Sequence, residues 1–206
     1  MLNLSRKVYL IGGSPTSGKS TLAEAVAKHL NIPWISTDQI RSLLRVYAKP
    51  EEHPWLFDTE EMTAEQFFAK YTPKEIAQRE LKQADSVWPA VKLMIETDYT
   101  WENGFVVEGV NIVPRLVHKD FDGNDNVKTV FLIDEDAKNI EQVVHTRGLW
   151  DDADKYPETV KKLEVGWVLE FSKLLREEAA AFGYKCIDVR KQDDDLDLVL
   201  KAWGVS

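Results

Sequence analysis

The sequence predicts an α/β fold, a five-stranded and mostly parallel sheet with helices on both faces. Two observations predict it. Five short apolar runs, KVYLIGG (7–13), IPWIST (32–37), GFVVEGV (104–110), KTVFLID (128–134) and YKCIDV (184–189), recur along the chain, and segments of helical periodicity separate them. Strands that alternate with helices pair in parallel, because each crossover returns the chain to the same end of the sheet. Ligands of such folds bind at the carboxyl ends of the strands.

The first run ends in a glycine-rich turn and opens a helix from about Lys19 to Leu30. Leu22, Ala23, Val26, Ala27 and Leu30 share one stripe of that helix. After the second run comes an insertion, residues 38–103, too long for a simple crossover and rich in helical signals; a helical lobe covering a ligand is expected there. Within it, KPEEHPWLFDTEE (49–61) reads as a loop with two prolines and two large aromatics. Thr72-Pro73-Lys74-Glu75 supplies an N-cap, a proline at the first helical position and a capping-box acid. The helix it starts is expected to reach about Thr100, kinked or split at Pro89. Residues 157–183 read as one long helix stopped by Gly183. Residues 193–204 read as a short last helix with acids at its start, which suits the helix dipole.

With 206 residues and 44% hydrophobic positions, the chain suits one core, so a single domain over residues 1–206 is expected. Charged residues at 30% with 18 Pro plus Gly exclude a disordered class. The single cysteine, Cys186, excludes an internal disulfide and fits a reducing compartment. It lies inside an apolar strand-like run, a poor setting for a nucleophile. No run approaches the length of a membrane span, and MLNLSRKVYLIGG lacks the apolar core of a signal peptide. A cytoplasmic location with no membrane partner is therefore the expectation. The net charge of −9 divides into +5 over residues 1–50 and −14 over residues 51–206. The basic quarter would tolerate a phosphate-bearing ligand, and the acidic remainder is a solvated surface that argues against a nucleic-acid partner.

Gly13-Ser14-Pro15-Thr16-Ser17-Gly18-Lys19-Ser20 matches G-x-x-x-x-G-K-[ST] in full, and Thr21 follows. The glycines let backbone N–H groups turn inward on phosphate oxygens, and the helix dipole adds positive potential there. Lys19 would reach the β- and γ-phosphates, and the Ser20 hydroxyl would ligate Mg²⁺. A strand before the motif and an amphipathic helix after it are the context this P-loop requires. Residues 13–21 are thus the expected nucleotide contacts, with ATP and Mg²⁺ as cofactors.

After the second run, Asp38 stands at a strand's carboxyl end where a helix opens, with Arg41 three residues on and hence on the same face. A carboxylate there can accept the proton of an attacking hydroxyl or hold a metal-bound water. The arginine can grip an anionic acceptor or the transferred phosphoryl group.

These residues carry a resemblance. LIGGSPTSGKSTLAEAVAKHL followed by ISTDQIRSLLR resembles the 2-phosphoglycerate kinases and the wider group of small P-loop kinases that includes polynucleotide 5′-kinases and zeta-type toxin kinases. FVVEGVNIVPRLV (105–117) is also similar to 2-phosphoglycerate kinases, with Asn111 standing where their pattern has a histidine. The resemblance covers residues 8–46 and 105–117 well and 128–150 loosely. It implies a three-layer P-loop NTPase fold of the nucleoside-monophosphate-kinase type, with Lys19 and Asp38 catalytic and Arg41 a ligand of substrate or phosphate. Residues 47–103 match no family pattern, and acceptor choice is expected to reside there.

Two segments compete to supply the acid near the metal: Glu108, and Asp134 with Glu135. The strand order implied by the resemblance sets the third strand beside the first, so that Glu108, followed by Gly109, would face the phosphates and acceptor. Asp134 would then lie one strand farther away and merely open the next helix. A lid is expected at about residues 145–160, where Arg147 would stabilise the charge in transfer; its other reading is a cation complementing a helix C-terminus. Arg190 would stack on adenine, on the expected fold alone.

The expected reaction is ATP-dependent phosphoryl transfer to a hydroxyl of a small anionic acceptor such as a phosphorylated glycerate. That acceptor would suit Arg41 and Arg45, four residues apart on one face. A nucleic-acid 5′-hydroxyl or a nucleotide sugar is the alternative acceptor, and the −14 balance argues against the basic channel that nucleic acid needs. A nucleotide-hydrolysing switch is the alternative class. It lacks support, because the chain has neither Asn-Lys-x-Asp nor Ser-Gly-Gly.

Overall fold

The computed structural model describes residues 6–59, 62–98, 100–146, 156–188 and 195–205. Five strands form the sheet: β1 (Val8–Gly13), β2 (Trp34–Ser36), β3 (Phe105–Glu108), β4 (Val127–Ile133) and β5 (Cys186–Asp188). Their order is β2-β3-β1-β4-β5, with every pairing parallel. Each of the five apolar runs overlaps one strand, and β4 starts at Val127, one residue before its run. β2 and β3 are shorter than their runs because the flanking residues enter turns or helix caps.

The helices are α1 (Lys19–Leu30), α2 (Thr37–Tyr47), α3 (Ala64–Lys70), α4 (Pro73–Thr97), α5 (Pro114–Phe121), α6 (Ala137–Thr146), α7 (Glu158–Ala181) and α8 (Asp195–Trp203). The two-residue period of β1 sorts them into layers. Tyr9 and Ile11 pack with Leu22, Ala23 and Val26 of α1 and with Val199 and Trp203 of α8. Val8 and Leu10 point the other way, into a larger core shared with Val87 and Trp88 of α4 and Phe171 of α7. The same alternation puts Val106 of β3 on the α1 side and Phe105 and Val107 opposite. Glu108, in phase with Val106, therefore falls on the α1 side. Phe105, Phe131 and Phe171 are fully buried, and each contributes about 1.5–3 kcal/mol of apolar transfer energy.

The insertion folds as α2, a 3-10 turn over Pro54–Phe57, α3 and α4. Its loop is fastened to α4 by Arg79, whose Nε donates to Asp58 Oδ2 at 2.8 Å while its guanidinium lies 4.0 Å from the Tyr71 ring centroid. A capping box starts α4: Thr72 Oγ1 accepts from the Glu75 amide at 3.3 Å, and the Glu75 carboxylate accepts from the Thr72 amide at 2.8 Å.

Of the expected kink or split at Pro89, the split does not occur: α4 runs from Pro73 to Thr97 as one continuous helix. The physical reason is where the proline faces. Pro89 is exposed, while Val87, Trp88 and Val91 on either side are buried in the core. Packing of these residues secures the helix on both sides of the proline, and water can serve the Asp85 carbonyl that the proline leaves without a donor. At the far end of α7, Gly183 adopts φ +73° and closes the helix as expected.

Candidate phosphate-binding and acceptor site

β1 ends at Gly13 and α1 begins at Lys19, so the motif is the turn between the sheet's central strand and the following helix. Gly18 is the N-cap of α1 at φ +76°, with open space where a Cβ would stand, so its demand for glycine is conformational rather than steric. The Ser14 amide donates to the Leu132 carbonyl at 3.0 Å, tying the loop to β4. Ser17 Oγ and Lys19 Nζ both donate to the Ser14 carbonyl, at 2.8 and 2.7 Å. Ser20 and Thr21 are exposed in the first turn of α1.

Two hydroxyls of the loop, Ser14 Oγ and Thr16 Oγ1, are buried without a hydrogen-bond partner among the described residues. Buried polar atoms are ordinarily served, so these orphans, the αL turn and the acid-free first turn of α1 together fit a phosphate chain. Among the described residues no cluster of three or more His, Cys, Asp or Glu could hold a metal. A cation here would draw ligands from the phosphates as well as from the protein.

Glu108 pairs in register with Ile11 of β1 and with Ser36 of β2 and is 3% exposed. Burial pushes its carboxyl above the usual glutamate range, the Lys19 charge and the Ser36 and Ser20 hydroxyls oppose the rise, and Asp38 adds to it. The expected position of Asp134 needs correction: β4 is the other direct neighbour of β1, so Asp134 is not one strand farther away. Contacts separate the two acids instead. Asp134 Oδ1 accepts from the Asp136 amide at 2.9 Å and Oδ2 from Asn139 Nδ2 at 2.5 Å, so this carboxylate organises the entry to α6.

Ser36 caps α2: its Oγ accepts from the Asp38 amide at 3.2 Å, and its own amide donates to Gln39 Oε1 at 3.1 Å. Gly109 permits the seating of this helix, because a Cβ there would collide with Thr37 Oγ1. Asp38 is exposed and pairs with Arg41 at 3.3 Å. Beside Asp38 opens a groove of about 710 Å³ whose walls include Trp34, Leu43 and Trp101.

Arg41 Nη1 donates to Gln83 Oε1 of α4, and Asn111 Nδ2 donates to the same oxygen at 3.3 Å. Arg45 turns elsewhere: its Nε donates to the Leu56 carbonyl and its guanidinium lies 5.9 Å from the Phe57 ring centroid, so it holds the 3-10 turn. Arg147 and Arg190, and most of the segment expected to form a lid, lie outside the described residues.

Glu80 was not singled out by its sequence context. It is half-buried on α4, and burial pushes its carboxyl up to about 7; Arg41 opposes the rise, Asp38 and Asp58 add to it, and Lys19 opposes it. The signal was present in the periodicity. Ile76, Ala77, Ala84, Val87, Trp88 and Val91 form the buried stripe of α4, and Glu80 and Gln83 interrupt it.

The Zeta toxin family profile matches residues 3–70, a third of the chain. The 2-phosphoglycerate kinase of Methanothermobacter thermautotrophicus is 31% identical over 137 residues, covering 65% of this chain and 44% of the relative. That of Methanopyrus kandleri is 30% identical over 134 residues, covering 64% and 40%. The chain resembles the 2-phosphoglycerate kinases. It spans less than half the length of those relatives. A gluconokinase structure from Sinorhizobium meliloti superposes with a TM-score of 0.51 at 15% identity, covering 96% of this chain and 89% of that one. An uncharacterised protein from Eubacterium ventriosum superposes at 0.50 and 14% identity, over 98% and 100%. The fold is therefore the three-layer P-loop kinase fold. Among the described residues no helix is long and apolar enough to cross a membrane.

Proposed function

We propose that the protein is an ATP-dependent kinase that phosphorylates a hydroxyl of a small anionic metabolite, with 2-phosphoglycerate the first acceptor to test. The strand order β2-β3-β1 carries the reading. It sets Asp38 and Arg41, Glu108, and the P-loop at three neighbouring carboxyl ends, so an acceptor on α2 would lie in front of a nucleotide held by α1.

In this reading the P-loop amides and Lys19 hold the β- and γ-phosphates and offset their charge. Bound Mg²⁺, held by Ser20 and through water by Glu108, would supply Lewis-acid polarisation of the transferred phosphoryl group. Asp38 orients the acceptor hydroxyl and receives its proton as the oxygen attacks in line. Arg41 holds an oxyanion of the acceptor, and the helical segment 38–103 serves as the acceptor lobe. The partners of the chain are then ATP and a small molecule.

The test is ADP release in Mg-ATP with phosphoglycerates, sugars, nucleotide sugars and 5′-hydroxyl oligonucleotides as acceptors. One small oxyacid should raise the rate and yield a phosphorylated product. Asp38→Asn should lower kcat by about 10²–10⁴-fold while ATP still binds. ADP release indifferent to every acceptor and to Asp38 would replace the kinase by a hydrolytic switch.

A further inference from the structure

α4 contributes a buried stripe to the main core, and two positions of it are spent on polar side chains. Gln83 is 1% exposed, and its Oε1 receives both Arg41 and Asn111. Burying an amide in an apolar stripe costs about 1–3 kcal/mol unless its hydrogen bonds are supplied, so an apolar residue would be the cheaper filler. Gln83 instead joins three elements: α2 through Arg41, α4 itself, and the turn after β3 through Asn111.

The cluster has openings. Asn111 is fully buried with its Oδ1 unpartnered, and Arg41 Nε is buried and unpartnered. A buried acceptor and a buried donor left open at the same cluster call for a ligand bearing both an O–H and an anionic oxygen. Glu80, half-buried, lies one turn of α4 before Gln83 and on the same helix face. The charges that act on it are those of Arg41 and Asp38 from α2, Asp58 from the loop after the 3-10 turn, and Lys19 from α1.

We infer that Arg41, Glu80, Gln83 and Asn111 form the acceptor subsite for a small oxyacid, in which Arg41 Nε and the carboxyl proton of Glu80 together donate to one oxyanion. Gln83 and Asn111 are positioning residues that fix the guanidinium, and Asn111 Oδ1 accepts an O–H of the ligand. The inference rests on the kinase reading and adds to it a proton taken up with the acceptor. Burial penalises the charge of Glu80 and pushes its carboxyl up to about 7. Ionised, it would repel an oxyanion beside Asp38; protonated, it becomes a donor. Acceptor binding is then coupled to protonation of Glu80 and weakens as pH rises above about 7.

The experiment is calorimetric titration of 2-phosphoglycerate into the full chain saturated with Mg²⁺ and a non-hydrolysable ATP analogue. Buffers of differing ionisation enthalpy at pH 8 report the proton count. Wild type should take up close to one proton, and its Kd should rise about 25-fold between pH 6.5 and 8.5, the behaviour of one coupled group titrating near 7. Glu80→Gln should lose the uptake and flatten the profile relative to wild type, which also removes any contribution from the ligand's own phosphate. Gln83→Leu should raise the acceptor KM about tenfold, keep the proton uptake and leave the affinity for the ATP analogue unchanged. Binding and phosphorylation of 2-phosphoglycerate without uptake dependent on Glu80 overturns this inference and leaves the kinase reading intact. Phosphorylation of neutral hydroxyl acceptors alone overturns the oxyacid subsite. Turnover that ignores every acceptor overturns the kinase reading and the subsite with it.

Discussion

Glu164 of α7 is 1% exposed, and neither of its carboxylate oxygens has a hydrogen-bond partner among the described residues. It lies one turn before Val168, which packs with Ile140 and Val144 where α6 meets α7. Burial pushes its carboxyl up to about 7, against the weaker pull of Lys161 and His145. Because the folded value is raised, the folded state holds the proton more tightly than the unfolded chain. The associated stability is complete below the unfolded pKa near 4.5 and is lost as pH rises through about 7. A shift of this size amounts to about 3 kcal/mol. Glu164→Met, similar in volume and apolar, should therefore melt several degrees above wild type at pH 8.5. The gap should shrink at pH 5. Equal gaps at both pH values would show that Glu164 does not become neutral in the fold.

At the scale of elements, legibility followed locality. The five strands and α1 were readable because apolar runs, the 3.6-residue stripe and the P-loop turn are short-range signals. The capping box before α4 was readable for the same reason. Two features were not local. That both β3 and β4 flank β1 is a property of the assembled sheet, and it removed the strand-distance argument against Asp134. The integrity of α4 through Pro89 depended on which face the proline presents, set by the partners of Val87, Trp88 and Val91. Pro89→Ala should restore the amide donor to the Asp85 carbonyl on an exposed face. Proline costs about 3 kcal/mol against alanine inside a helix, and its restriction of the unfolded chain returns about 1 kcal/mol. A net gain of about 1–2 kcal/mol, read from chemical denaturation, is expected. A loss would mean that α4 needs a bend at this point to reach the core.

At the scale of the whole molecule, the helices that carry the two sets of groups pack in different cores, while the kinase reading joins the groups at the carboxyl ends of the strands. α1 rests on the smaller core with α8, while α4 and α7 share the larger one. Glu80 and Gln83 escaped notice in the sequence because their meaning depends on Arg41 and Asn111, 28 or more positions away. The nucleotide and acceptor sides should accordingly be separable in stability. A ligand at 100 times its Kd stabilises the fold by about 2.7 kcal/mol, which for a chain of this size is about 5–11 °C in Tm. Mg-bound, non-hydrolysable ATP analogue should give wild type that shift, and Lys19→Ala should lose most of it by giving up the phosphate contact. Asp38→Asn and Glu80→Gln should keep it, since their carboxylates act on the acceptor from α2 and α4. If Asp38→Asn loses the shift as fully as Lys19→Ala, Asp38 belongs to the nucleotide side, and its assignment to the acceptor hydroxyl fails.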